Sequence, residues 1–151
     1  MADASTKSVE MAADPAAIMD TIADVAAYPE WAGAVKTVTV TEAGTSANRP
    51  RRVRFELDAG AFKDTYELQY TWAADGLSVS WTLVQGKLQK AQVGSYVLRP
   101  GATSTTVTYS LTVQLTIPLI GPLRRTAEKR IMDTALEELR KRVETPAADH
   151  A

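Results

Sequence analysis

The 151-residue chain contains no cysteine, so disulfide bridges, thiolate nucleophiles and thiolate-ligated zinc or iron–sulfur centres are excluded. Its one histidine, His150, lies in the terminal stretch 146–151. Without a second imidazole, neither a multi-histidine metal site nor a histidine-centred catalytic apparatus can be assembled. No metal and no cofactor are therefore expected. The formal net charge of −1 gives no basic field for nucleic acid, and DNA is not an expected partner. Residues 1–7 lack the apolar core of a secretory leader, and no later segment approaches the run of about 18 apolar residues that a transmembrane helix needs. These absences point to a cytoplasmic protein without a transmembrane segment and leave its oligomeric state open. No internal repeat or low-complexity tract divides the chain.

What is present is enough apolar residue, 45%, to enclose a core or a cavity. One domain over residues 6–144 is expected, with flexible termini at 1–5 and 145–151. The longest periodic stretch opens Gly121-Pro122 and reads as a single amphipathic helix over 121–143. Leu123, Ala127, Ile131, Ala135, Leu139 and Val143 step by four, and Met132 and Leu136 widen that stripe. Pro122 suits the first helical turn, and Glu137–Lys141 and Glu138–Arg142 are favourable pairs on the polar face. A helix of this length extends about 33 Å and needs a broad apolar surface to lie on.

The preceding residues supply one. Residues 6–12 read as a first strand; Asp14 then caps a helix that starts at Pro15, and a second short helix over 24–28 is stopped by Pro29. From Val35 the period changes to two. Val38 and Val40 begin a strand that breaks at the turn region 44–50. Val53, Phe55 and Leu57 share one face of the next strand. After a turn at 59–61, Phe62, Asp64, Tyr66, Leu68, Tyr70 and Trp72 share a face. The following strands place Leu77, Val79, Trp81 and Leu83, then Leu88, Gln92, Gly94, Tyr96 and Leu98, then Val107, Tyr109, Leu111, Val113, Leu115 and Ile117 on one side; Pro118 ends the last. The fold class is α+β, with antiparallel strands that each bury one face in a single curved sheet covered by the terminal helix. Seven aromatics, Phe55, Tyr66, Tyr70, Trp72, Trp81, Tyr96 and Tyr109, face inward, and space left between them is the candidate site.

Several of these pieces resemble one family. Val25-Ala26-Ala27-Tyr28-Pro29-Glu30-Trp31 after the first helix, Phe62-Lys63-Asp64 opening a strand, Gly94-Ser95-Tyr96-Val97-Leu98, Thr106-Val107-Thr108-Tyr109 and the closing helix are similar to the START/Bet v 1-like superfamily. The branch they resemble is the bacterial polyketide cyclase/dehydrase and coenzyme-Q-binding one, over about residues 6 to 144. The resemblance implies a helix-grip fold, in which a seven-stranded antiparallel sheet wraps the C-terminal helix, with two short helices after the first strand. It also implies an apolar cavity that opens near the short helices, with Trp31 and Tyr28 beside the opening. Each of these aromatics could equally be plain core or, for Trp31 and Tyr28, an anchor for the short helices.

Three functions follow. The first is binding of a hydrophobic small molecule, a lipid, isoprenoid or polyketide-like compound, as carrier or sensor. Its lining would be Trp31, Phe55, Tyr66, Tyr70, Trp72, Trp81, Gln92, Tyr96, Tyr109, Leu123, Ala127 and Ile131. The second is a polyketide cyclase or dehydratase in which Asp64, a carboxyl among apolar side chains, acts as general acid or base beside a tyrosine hydroxyl. Against that, Asp64 could sit at the rim or pair with Arg124 or Arg125. The third is a protein-interaction module. Gln92 is the other inward polar residue, and Gly94 permits close approach of a backbone or ligand, or marks a bulge.

Overall fold

The structure, a computed structural model, describes residues 4–46, 48–59, 62–116 and 121–145, with the side chains of residues 59, 62 and 121–124 outside the description. Strand β1 (Ser5–Met11) is followed by helix α1 (Pro15–Ala23), a 3-10 turn (Val25–Ala27) and helix α2 (Tyr28–Trp31). Then come β2 (Val35–Glu42), β3 (Arg52–Ala59), β4 (Phe62–Trp72), β5 (Ser78–Gly86), β6 (Gln89–Pro100), β7 (Thr105–Leu115) and the long helix α3 (Gly121–Glu144). All seven strands form one sheet in the order β1-β7-β6-β5-β4-β3-β2, antiparallel throughout. The expected strands are all there, and period-two alternation assigned their faces: Val53, Phe55, Leu68, Tyr70, Val79, Trp81, Leu98, Val107, Tyr109 and Leu111 are buried. The expected turn at 60–61 and the strand end at Ile117 and Pro118 lie outside the described residues, as do the side chains of Phe62 and Leu123.

Three local expectations need correction. Pro29 does not stop the second helix; it sits in the first turn of α2, where a missing N–H breaks no helical bond. Asp14 occupies the cap position of α1 ahead of Pro15, but its side chain makes no capping hydrogen bond. Ser5 and Thr145 belong to ordered structure: Ser5 is the first residue of β1, and the Thr145 N–H reaches the Lys141 carbonyl at 3.2 Å.

Helix α3 packs on β1, β7 and α1. Its buried seam is Glu128, Met132, Leu136 and Leu139, each at most 2% exposed. Ile131, one position away from that seam, is 47% exposed. At 100° per residue, Ala127, Ile131 and Ala135 fall on the flank that also carries Glu138 and Arg142. Those last two bond α2 and its C-terminal neighbour: Glu138 accepts the Gly33 N–H at 3.1 Å and Arg142 pairs with Glu30 at 3.2 Å. The expected pairs Glu137–Lys141 and Glu138–Arg142 are thus replaced, with Glu137 bound to Arg140 at 2.7 Å. The sequence stripe therefore separates into a seam against the sheet and an apolar flank, Ala127–Ile131–Ala135, on the α2 side.

Glu128, a charged residue, is buried at 1% exposure. Pairing of β1 with β7 begins at Ser5 opposite Leu111, so β1 covers no described residue of β7 beyond that point. Glu128 reaches across: one oxygen accepts the Val113 N–H at 2.7 Å, the other the Ser5 hydroxyl at 2.7 Å. An orphaned strand donor is satisfied and the helix is tied to two strands at once.

Candidate functional site

The aromatic residues of the inner face meet in two runs of ring contacts. In one, Trp31 lies edge-on to Tyr28 (5.0 Å between centroids), Tyr28 stacks on Phe55 (6.0 Å) and Phe55 stacks on Tyr66 (5.4 Å). In the other, Trp81 is the hub and touches Tyr70 (5.9 Å), Tyr96 (5.4 Å) and Tyr109 (5.8 Å). Trp72 stacks on Tyr70 at 5.4 Å, and Tyr96 meets Tyr109 at 4.6 Å. Period-two strands and a glycine opposite Trp81 create this arrangement. Gly94 pairs with Trp81 across β5 and β6, and the indole lies over the glycine, so a Cβ there would stand 2.3 Å from Trp81 Cζ2. The close approach is made by a side chain of the protein itself.

Burial raises the ionisation of all five tyrosines of the chain above the ordinary value of 10.0. Loss of water is the largest cause in each; neighbouring tyrosines add to it for Tyr28, Tyr70, Tyr96 and Tyr109, and Asp64 for Tyr66. Tyr28 donates to the Ile22 carbonyl. Among the described residues, the hydroxyls of Tyr66, Tyr70, Tyr96 and Tyr109 have no hydrogen-bond partner. Tyr66 and Tyr96 are half-buried, whereas Tyr70 and Tyr109 are buried.

Asp64 lies inside, 5% exposed, as its place in the alternation of β4 requires. The exposed Arg125 is not among its partners, and the side chain of Arg124 lies outside the description. One carboxylate oxygen accepts the backbone N–H groups of Lys87 (3.0 Å) and Leu88 (2.9 Å), which pins the β5–β6 turn. The other accepts Gln89 Nε2 at 3.1 Å. Gln89 Oε1 accepts Gln92 Nε2 at 2.6 Å, and Gln92 Oε1 accepts the Trp81 indole N–H at 2.7 Å. Gln89 was not singled out in the sequence. A register shift between Gln89 and Ala91 turns both glutamines toward the interior, and no period-two count detects such a bulge.

This relay has a fixed direction. Trp81 can only donate and an ionised Asp64 can only accept, so both amides between them are oriented from the two ends. Asp64→Asn places an amide where the relay ends. Flipping Gln89 and then Gln92 moves the conflict along but leaves two donors facing each other at Trp81. The expected result is a loss of about 1–3 kcal/mol, read by urea denaturation, with a shifted tryptophan emission. An Asp64→Asn protein as stable as the wild type, with unchanged emission, would contradict the relay.

Of the other predicted lining residues, Trp31, Phe55, Tyr66, Tyr70, Trp72, Trp81, Gln92, Tyr96 and Tyr109 are brought together on the inner face. Ala127 and Ile131 are not among them; they lie on the flank of α3, Ala127 half-buried and Ile131 exposed, because Glu128 and Met132 take the seam. Leu123 lies outside the described side chains. Among the described residues there is no group of three or more histidine, cysteine, aspartate or glutamate side chains able to hold a metal ion, and no helix long and apolar enough to cross a membrane.

A seven-stranded antiparallel sheet with a long C-terminal helix on its aromatic inner face defines the helix-grip class. The chain belongs to the polyketide cyclase/dehydrase and lipid transport family, whose model matches residues 3–144. A START superfamily protein from Mycobacterium smegmatis has the same fold, at 23% identity, a TM-score of 0.86 and coverage of 95% of this chain and 98% of that one. A protein from Thermus thermophilus is similar at 23% identity and a TM-score of 0.76, covering 93% and 96%. The Zhui aromatase/cyclase of Streptomyces sp. R1128 is similar at 14% identity and a TM-score of 0.71, covering 96% of both chains. At these identities the likeness is one of fold. Among curated proteins no sequence match is found.

Proposed function

We propose that this protein binds a hydrophobic small molecule of the lipid, isoprenoid or polyketide-like kind between α3 and the aromatic face of the sheet, as a carrier or sensor. The observation that carries the reading is the set of four withdrawn tyrosine hydroxyls without partners. A buried hydroxyl left unpaired costs about 1–3 kcal/mol, and four on strands β4, β6 and β7 of one sheet favour a ligand with oxygen atoms among the rings. The apolar flank of α3 is a second support, because Ile131 on it is 47% exposed and leaves greasy surface uncovered. Each methylene of a ligand taken out of water contributes about 0.8 kcal/mol, so the rings and flank provide the affinity and the hydroxyls the orientation.

A cyclase reading finds less support, since the carboxylate it would use already accepts three hydrogen bonds from the β5–β6 turn and Gln89. The test is native mass spectrometry of the purified protein, then solvent extraction and challenge of the empty form with a fatty acid, an isoprenoid quinone and an aromatic polyketide. A stoichiometric adduct is expected. Tyr96→Phe and Tyr109→Phe should each weaken the adduct by about 1 kcal/mol and leave the melting temperature of the empty protein unchanged or slightly higher. A protein that stays empty against all three classes overturns the proposal.

A further inference from the structure

At the end of the sheet next to α1, an open cleft of about 680 Å³ is lined by Asp20 of α1, the loop between β2 and β3, and the end of β4 with its following turn. Its floor includes Tyr70 and Trp72, the same two rings that stack toward the buried hub Trp81. Arg49 stands over Trp72, 5.5 Å from the ring centroid. From the guanidinium inward, Trp72, Tyr70, Trp81 and Tyr109 follow at steps of 5.4, 5.9 and 5.8 Å. Arg49 thus stands on the outer ring of a packed row that runs from the cleft to the buried Trp81 and Tyr109.

The corner is held in place by its own loop. The Trp72 indole N–H donates to the Pro50 carbonyl at 2.7 Å, and the Arg51 N–H donates to the Glu42 carbonyl at 2.9 Å. Gly44 lets the loop fold back on itself, because a Cβ there would stand 2.0 Å from the Arg49 carbonyl oxygen. Arg49 donates from Nη1 to the Asn48 carbonyl at 2.9 Å and from Nη2 to Asp20 at 2.8 Å, while its Nε has no partner among the described residues. The contact with Asp20 involves one oxygen of a side chain that is 69% exposed, whereas the Arg49 side chain is 24% exposed. An exposed carboxylate bound through a single oxygen is exchangeable; a half-buried guanidinium stacked on tryptophan is not easily moved. Of the charged lining residues, Arg49 is paired with Asp20 at 2.8 Å, and Arg51 with Glu42 at 3.3 Å.

Resting on the proposed apolar site, the geometry points to a ligand with a carboxylate end group: its apolar body lies in the cleft against Trp72 and Tyr70 and its carboxylate displaces Asp20 from Arg49. Arginine can engage such a carboxylate through two nitrogens, which the present Asp20 contact does not do.

The test compares two probes of equal apolar body, dodecanoate and dodecanol, titrated calorimetrically into the full chain. The wild type is expected to hold dodecanoate about tenfold more tightly than dodecanol. Arg49→Gln should erase that preference while dodecanol binding persists. Asp20→Asn, at an exposed position that leaves the fold intact, should increase it severalfold by freeing the guanidinium. Equal binding of the two probes by the wild type, or a preference that survives Arg49→Gln, overturns the carboxylate assignment and leaves the apolar site standing. Binding of neither probe overturns the carboxylate assignment, and the apolar site falls with it only if the isoprenoid quinone and the aromatic polyketide also fail to bind.

Discussion

Gly94→Ala should destabilise the protein by about 3 kcal/mol, although the same change in an ordinary strand is mildly favourable. Removing a glycine from an extended position stabilises by about 0.4–1 kcal/mol through the unfolded chain. Here the new Cβ would stand 2.3, 2.4 and 2.6 Å from three indole atoms of Trp81. The indole has to move, and it is not a flexible tip: it touches Tyr70, Tyr96 and Tyr109 and donates its N–H to Gln92. Overpacking of a core costs about 1–3 kcal/mol and a broken buried hydrogen bond about 1 kcal/mol more, so the clash outweighs the entropic gain. Gly33→Ala is the control. A Cβ there meets only Glu138 Oε2, at 3.5 Å, and the expected change is within about 0.5 kcal/mol. Urea denaturation of both variants, with near-ultraviolet circular dichroism to follow the tryptophans, decides the matter. A Gly94→Ala protein with wild-type stability and an unaltered spectrum would show that the indole does not rest on the glycine. Trp81→Ala would be a poor probe of ligand binding for the same reason, since it removes the hub of the core; phenylalanine at the tyrosine positions leaves the packing in place.

The strands were legible because each buries one face and water sits on the other. Alternation through Val53 and Phe55, Tyr66 to Trp72, and Val107 to Leu111 assigned the inner residues correctly, and it placed Asp64 inside when its chemistry argued for outside. The partners of Asp64 were not legible. Two of them are backbone N–H groups of a turn, which every sequence possesses, and the third, Gln89, is brought round by a bulge. Helix α3 was legible in extent and not in rotation. Ile131 is more apolar than Glu128, yet Glu128 takes the seam because Val113 needs an acceptor where β1 has not yet begun. A local shortage of acceptors in the sheet thus sets the facing of a helix far along the chain. The same applies to the ion pairs: spacing on one helix suggested Glu138 with Arg142, but α2 and the residue just after its end offer both of them partners. A short-range pairing on an exposed helix contributes only about 0.3–0.5 kcal/mol, too little to hold against competitors from another element.

Alkaline titration should give no tyrosinate near pH 10 and then release it from all five tyrosines in one step, together with the loss of secondary structure. Burial raises every one of these groups above 10.0, with the Tyr70 and Tyr109 rings also the most enclosed. The folded protein then keeps phenolic protons that the unfolded chain gives up. The unfolded state binds fewer protons above pH 10, so stability falls as pH rises; below the unfolded value the contribution is fully present. A tyrosine that ionises only on unfolding removes about 1.4 kcal/mol per pH unit past that point. Five such groups remove about 7 kcal/mol by pH 11, against a total stability of about 5–15 kcal/mol for a domain. The transition should therefore fall within one to two units above pH 10 and be steep. Absorbance at 295 nm and far-ultraviolet circular dichroism, recorded on the same samples, should trace one curve. Tyrosinate appearing gradually around pH 10 while the dichroism holds would mean that hydroxyls of the cluster face bulk water. A bound apolar ligand should move the coincident transition to higher pH, because it stabilises only the folded state in which the phenols are protonated. The displacement of the curve therefore reports occupancy of the interior without any label on the ligand.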